Sequence, residues 1–305
     1  MSDTITISPA RAWMVSLRLR TLPLALASIV TGSAIAGWQG HFRPVVALLA
    51  LVTAAMLQIL SNLANDYGDA VKGSDEKGRI GPMRGMQLGI ISREQMKVAL
   101  IIAITLSLLF GGILIAVACK QPADILGFLL LGVLSIIAAI TYTVGTRPYG
   151  YMGLGDLSVL IFFGWLSVAG SYYLQTNAFH TIVMLPATAC GLLAAAVLNI
   201  NNLRDIDTDR LNGKNTLAVR LGPKRARYYH VALLSGAVAC LALFSLLKTH
   251  TLAGWLFMLA VPALYMQARY VLHDTTPSGM RPMLEKTVKC TLLINVLFAA
   301  GLLIS

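Results

Sequence analysis

The sequence predicts an all-α integral membrane protein built from nine transmembrane helices, and three observations carry that reading. Of 305 residues, 57% are hydrophobic and 12% charged, whereas soluble domains carry roughly a quarter charged. The mean hydropathy is +0.73. Apolar stretches of about 17 to 22 residues recur along the whole chain, the length that a hydrocarbon layer about 30 Å thick demands of a helix rising about 1.5 Å per residue. No soluble domain of useful size remains.

In chain order the spans fall at 21–38, 44–63, 98–119, 125–143, 157–174, 181–199, 228–247, 252–266 and 288–304. The first follows Arg11, Arg18 and Arg20 and runs to Ala34-Ile35-Ala36, a pattern shared with cleavable signal peptides. Its leader of about 20 residues is long for one, so it is read as a retained span. Lys and Arg in the connections set orientation, because basic loops stay in the cytoplasm. With the N-terminus inside, 21 of the 24 basic residues face the cytoplasm and 3 (Arg43, Lys120 and Lys248) face outside. All 13 acidic residues except Asp124 share the inner side. Carboxylates contribute little to topology, so that face has another use for them.

Composition also excludes other classes. The four cysteines (Cys119, Cys190, Cys240 and Cys290) each sit inside an apolar segment without Cys-x-x-Cys spacing and read as small packing residues. The five histidines never pair, which argues against a His-based metal site. A net charge of +11 would suit nucleic acid, but no DNA or RNA module is present and the basic residues lie between hydrophobic spans. Topology and an anionic ligand account for them.

Beyond the second span the chain reads Ser61-Asn62-Leu63-Ala64-Asn65-Asp66-Tyr67-Gly68-Asp69-Ala70-Val71-Lys72-Gly73-Ser74-Asp75. A helix continued to Asp69 puts Asn62, Asn65, Asp66 and Asp69 on one face. Beyond the sixth span Asn201, Asp205 and Asp209 recur every four residues, and Asp207 points elsewhere. Either cluster alone has a solvated helix end as its alternative. Two clusters four spans apart lie on one side, as a duplicated unit (spans 1–4 and 5–8, plus span 9) within a single domain 1–305 would place them. Each precedes basic residues, Lys72, Lys77, Arg79 and Arg84 in one case, Arg210, Lys214 and Arg220 in the other. These types contact phosphate oxygens directly. Mg²⁺ is a hard cation, usually held by one or two carboxylates together with substrate phosphate oxygens, and it reverses the repulsion between carboxylates and a diphosphate. The clusters therefore predict Mg²⁺ and a diphosphate at the inner ends of two helices.

These residues resemble the UbiA-type intramembrane prenyltransferase superfamily of ubiquinone and menaquinone biosynthesis. Its motifs are Asn-Asp-x-x-Asp-x-x-x-Asp and Asp-x-x-x-Asp, placed after spans 2 and 6 of nine, and the likeness covers nearly the whole chain. Asn65, Asp66 and Asp69 fit the first motif; Gly73 stands where its last Asp is expected, and Asp75 follows two residues later. Asp205 and Asp209 fit the second, with Asn201 one turn earlier. The likeness is to the menaquinone branch, the 1,4-dihydroxy-2-naphthoate polyprenyltransferases. It rests on the Asp-x-x-Asp-x-x-Lys-Gly-x-Asp form from Asp66 to Asp75, and on Gly81-Pro82-Met83-Arg84-Gly85-Met86-Gln87-Leu88-Gly89-Ile90-Ile91-Ser92. Asn201-Asn202-Leu203-Arg204-Asp205, Gly213-Lys214-Asn215-Thr216-Leu217-Ala218-Val219 and Arg18-Leu19-Arg20-Thr21-Leu22-Pro23 add to it.

The resemblance implies a bundle of nine transmembrane helices around a central cavity open to the cytoplasmic side, in a bacterial inner membrane, with the C-terminus outside. It implies transfer of a long isoprenoid from its diphosphate to 1,4-dihydroxy-2-naphthoate with loss of CO₂. Asp66, Asp69, Asp205, Asp209 and Tyr142 are the expected catalytic residues. Asn65, Asp66, Asp69, Asp205 and Asp209, with Asp75 and Asn201, are the expected Mg²⁺ ligands. Lys72, Arg84 and Lys214 would contact diphosphate, Asn62 would line the substrate site, and Arg147 or Arg20 would hold the acceptor carboxylate. Tyr67, Tyr142 and Tyr149 lie near the inner face, where each aromatic face is worth about 0.5 to 2 kcal/mol to an allylic cation; an interfacial aromatic belt is the alternative. The tail would leave laterally into lipid, since about 0.8 kcal/mol per CH₂ opposes its exposure to water. A transporter is the rival from another class, but the charges sit at helix ends rather than at mid-membrane. A second rival is the same chemistry on another acceptor, such as 4-hydroxybenzoate.

Overall fold

The computed structural model describes residues 8–73, 84–274 and 276–305, apart from the side chain of Arg20. These residues form helices and turns, with no strand among them. The helices are α1 (Pro9–Leu17), α2 (Leu22–Trp38), α3 (Pro44–Val71), α4 (Arg93–Ala118) and α5 (Pro122–Thr141), followed by α6 (Gly155–Thr176) and α7 (Thr181–Arg204). Then come the short α8 (Ile206–Leu211), α9 (Leu217–Lys248), α10 (Leu252–His273) and α11 (Met280–Leu303). Among the described residues eight helices are long and apolar enough to cross a membrane, and counting α1 and α2, bent by 40°, as one span makes nine. The chain is a multi-pass membrane protein.

Where the observed helices outrun the apolar segments, they do so mostly at one end of the bundle. The second span continues from 63 to Val71, the third begins at Arg93, the seventh at Leu217 and the ninth at Met280, and the eighth runs on to His273. Hydropathy stops where charge begins, but backbone hydrogen bonding does not, so these helices project polar turns beyond their apolar bodies. Ser92 starts α4 with a reciprocal cap, its hydroxyl accepting from Gln95 N while the Gln95 side chain accepts from Ser92 N. Gly222, at φ +76°, and Pro223 interrupt α9.

The core forms around α7, whose neighbours are α6, α9, α2 and α11. Val168, Tyr172, Leu193, Ala196, Leu241, Phe244, Phe257 and Phe298 are fully buried there. A Cβ added at Gly164 would lie 2.5 Å from the Ala187 carbonyl oxygen, and one at Gly191 would lie 2.8 Å from that of Leu160, so α6 and α7 meet backbone to backbone. Polar ties fix the register of the spans. Cys190 Sγ donates to Asn295 Oδ1 at 3.0 Å, and Gln267 links His230 at 2.9 Å to Thr287 at 2.6 Å. Cys119, Cys190 and Cys290 are buried and none of the four cysteines is bridged, as their placement inside apolar segments suggested.

Candidate active site

The polar extension of α3 carries the first cluster, and each of its side chains is held. Asn62 Nδ2 donates to the Leu17 carbonyl at 2.9 Å and Gln58 Nε2 donates to Asn62 Oδ1 at 3.1 Å, so Asn62 ties α3 to the chain before α2. Asn65 Oδ1 accepts from the Thr143 hydroxyl at 3.2 Å. Asp66 Oδ1 pairs with Arg18 at 2.7 Å and Arg84 at 3.1 Å. Its Oδ2 is buried without a hydrogen-bond partner. Asp69 gathers three groups: Arg84 Nη1 on Oδ2 at 2.6 Å, and Lys214 Nζ at 2.8 Å and the Tyr151 hydroxyl at 2.6 Å on Oδ1.

The second cluster differs from a continuous helix. α7 ends at Arg204, Asp205 leaves helical geometry at φ −99°, ψ 10°, and α8 starts at Ile206. The Asp209 amide still donates to the Asp205 carbonyl at 2.8 Å, so the step of four residues survives the break. Arg204 forks onto Asp205, Nε to Oδ1 at 2.7 Å and Nη2 to Oδ2 at 2.5 Å, and reaches Asn201 Oδ1 at 2.8 Å. Lys214, from the turn after α8, crosses to Asp69 and joins the two clusters. Asp207 is exposed and apart from them.

One cavity of about 570 Å³ takes in both clusters apart from Asp66, which is buried behind its wall: Asn62, Asn65, Asp69, Asn201, Asp205 and Asp209 line it, with Arg18, Arg84 and Lys214. From there it extends along apolar walls that include Ala50, Leu57, Leu114, Phe128 and Leu174. Tyr142 and Tyr149 stand on its wall, their rings edge to face with centroids 5.3 Å apart. Burial pushes the Tyr149 phenol up, and it donates to the Ala138 carbonyl at 2.9 Å as a neutral group.

Several expected residues lie elsewhere. Tyr67 packs against the apolar cluster of Leu60, Leu63 and Met96, because it falls on the opposite side of α3 from Asp69. Arg147 lines a second pocket, shared with Lys72, Tyr151 and Asn212, and not the wall that carries Asp69 and Asp205. Lys72 stands over the Tyr151 ring at 4.8 Å, as does Lys214. Asp75 and the side chain of Arg20 lie outside the described residues. Three partners escaped the sequence reading. Tyr151 sits in a short turn (Tyr149–Met152) with no periodicity to mark it, and Arg18 and Arg204 read as topology charges.

Fold and site together define an intramembrane enzyme in which a charged head and an apolar limb share one cavity. Residues 25–287 match the UbiA prenyltransferase family, and the chain belongs to that family. It is 65% identical to the 1,4-dihydroxy-2-naphthoate octaprenyltransferase of Escherichia coli (strain K12), covering 98% of this chain and 97% of that one. It is 52% identical to the protein of the same name from Haemophilus influenzae, covering 96% of each. Its fold resembles the structure of a UbiA homolog from Archaeoglobus fulgidus bound to GPP and Mg²⁺, with TM-score 0.59 at 16% identity over 94% of this chain and 99% of that one.

Proposed function

We propose that this protein transfers a polyprenyl group from polyprenyl diphosphate to 1,4-dihydroxy-2-naphthoate with loss of CO₂, with its charged end toward the cytoplasm of an inner membrane. The observation that carries the reading is the single cavity joining carboxylates of α3 and of the α7–α8 junction to an apolar limb. Relatives that the chain matches over nearly their full length are named 1,4-dihydroxy-2-naphthoate octaprenyltransferase.

The donor set suits Mg²⁺. Its oxygens are hard carboxylate and amide oxygens, and Asn65, Asp69, Asn201, Asp205 and Asp209 all line the one cavity. Among the described residues no three acidic, His or Cys side chains gather tightly enough to hold a metal alone. Mg²⁺ is usually held by one or two carboxylates, with substrate phosphate oxygens completing its shell. Asn65, Asp66, Asp69, Asn201, Asp205 and Asp209 would hold the ions, and the sequence motif adds Asp75 to that set. Bound there, Mg²⁺ would neutralise charge growing on the diphosphate as its C–O bond breaks. Arg84 and Lys214 sit on the same wall and turn to the phosphate oxygens, with Lys72 behind Tyr151. Tyr142 and Tyr149, both on the cavity wall, offer the allylic cation the electron-rich face of a neutral ring. The acceptor ring forms the new C–C bond as diphosphate departs and the carboxylate leaves as CO₂; of the two arginines expected to hold that carboxylate, Arg147 lines the adjoining pocket rather than this cavity, and the Arg20 side chain lies outside the described residues.

The test offers purified protein Mg²⁺ and octaprenyl diphosphate with either dihydroxynaphthoate or 4-hydroxybenzoate, and follows prenylated product and CO₂. Product and CO₂ from the naphthoate are expected; product from 4-hydroxybenzoate alone would overturn the acceptor.

A further inference from the structure

The cavity is long. Ala50 and Asp69, both on its wall, lie about 28 Å apart along α3 at about 1.5 Å per residue. Its apolar limb passes between α3, α4 and α5, where Gly111 of α4 and Gly132 of α5 both line it. A Cβ built at Gly132 meets no atom within 4 Å, and one at Gly111 meets only the Thr53 methyl at 3.6 Å. The space beside Gly132 is therefore open cavity, bounded along the same face of α5 by Phe128 and Ser135. Its neighbour Leu131 lines the cavity and yet is 39% exposed, so the limb reaches the lipid-facing flank of α5 at this level.

From these observations we infer that Gly132 sets the prenyl chain length the enzyme accepts, by leaving the limb wide enough for a long tail to pass between α4 and α5. The inference rests on the polyprenyl-transfer reading. Gly132 lies about 15 Å along α5 from Tyr142. An extended tail covers about 1.2 Å per bond, so the eight chain carbons of a geranyl group span about 9 Å and stop short of it. An octaprenyl tail has to go past. A large side chain at 132 would block the second and spare the first.

Measuring kcat/KM for geranyl and octaprenyl diphosphate with one acceptor tests this. In Gly132→Phe the octaprenyl to geranyl ratio should fall about tenfold or more, the scale at which a filled pocket discriminates; Gly132→Leu should show the same sign if the larger variant folds poorly. Gly112→Phe is the control: its Cβ is equally free, but the residue does not line the cavity, and its ratio should stay at the wild-type value. An unchanged ratio in both Gly132 variants, or an equal fall in Gly112→Phe, overturns the inference while leaving the functional reading intact. Wild-type protein that transfers neither tail overturns both.

Discussion

The guanidinium of Arg84 lies 2.6 Å from Asp69 Oδ2 and turns its Nε to Asp66 Oδ1 at 3.1 Å, so one buried cation serves two carboxylates of α3. Neither acid depends on it alone: Asp66 also has Arg18, and Asp69 has Lys214 and Tyr151. Asp205 is placed differently, with both oxygens held by Arg204. Removing one partner of a buried pair costs about 3–5 kcal/mol when the other is left uncompensated. Arg204→Ala should therefore lower the thermal midpoint in detergent more than Arg84→Ala, whose acids keep other cations. Equal losses, or the reverse order, would contradict this assignment of partners.

Ligand linkage separates the metal role from this internal pairing. Inorganic diphosphate together with Mg²⁺ should raise the thermal midpoint, by the equivalent of about 2.7 kcal/mol at a hundred times Kd. EDTA should abolish the shift. Asp69→Asn and Asp205→Asn should each abolish it too, since one acid comes from each cluster on the shared cavity. A full shift in either variant would remove that residue from the metal set.

How far the sequence reaches is clear from particular residues. Asn62, Asn65, Asp66 and Asp69 were legible because a regular helix turns spacings of three and four into one face, and α3 does continue to Val71. The break at Asp205 was not, because Asn201, Asp205 and Asp209 keep the same spacing whether or not the helix is interrupted. Tyr151 reaches Asp69 from 82 positions away, across elements whose packing no local pattern encodes. Hydropathy likewise ended spans at the first charges, hiding the polar turns that carry the site.

Gly68 offers a test in which local propensity and packing predict opposite signs. In an exposed helix Gly→Ala is favourable by about 1 kcal/mol. Here the added Cβ would lie 2.7 Å from the Thr143 carbonyl oxygen, where α3 and the end of α5 approach closely enough for the Thr143 hydroxyl to reach Ala64 O at 3.0 Å and Asn65 Oδ1. Gly68→Ala should lower both the midpoint in detergent and the rate of transfer, since it displaces Asn65 and the adjacent Tyr142. A stabilised variant would show that the contact has room to relax.

At the opposite end of the bundle lies Arg43, which the sequence alone marks only as one of three basic residues expected outside. Its guanidinium donates to Val117 O at 2.8 Å and Leu174 O at 3.2 Å, with Ala118 O at 3.4 Å. These carbonyls belong to the last turns of α4 and α6, which have no partners within their own helices, and a cation there also meets the negative end of each helix dipole. Arg43 thus fastens two helix ends that flank the apolar limb. Hydrogen bonds to a charged group contribute about 1.5–3 kcal/mol, so Arg43→Met should lower the thermal midpoint measurably. Lys248, exposed at the end of α9, is the comparison: Lys248→Met should leave the midpoint where it is. If both variants behave as wild type, Arg43 is a topology signal and nothing more; if only Arg43→Met loses stability, the cap is part of the fold.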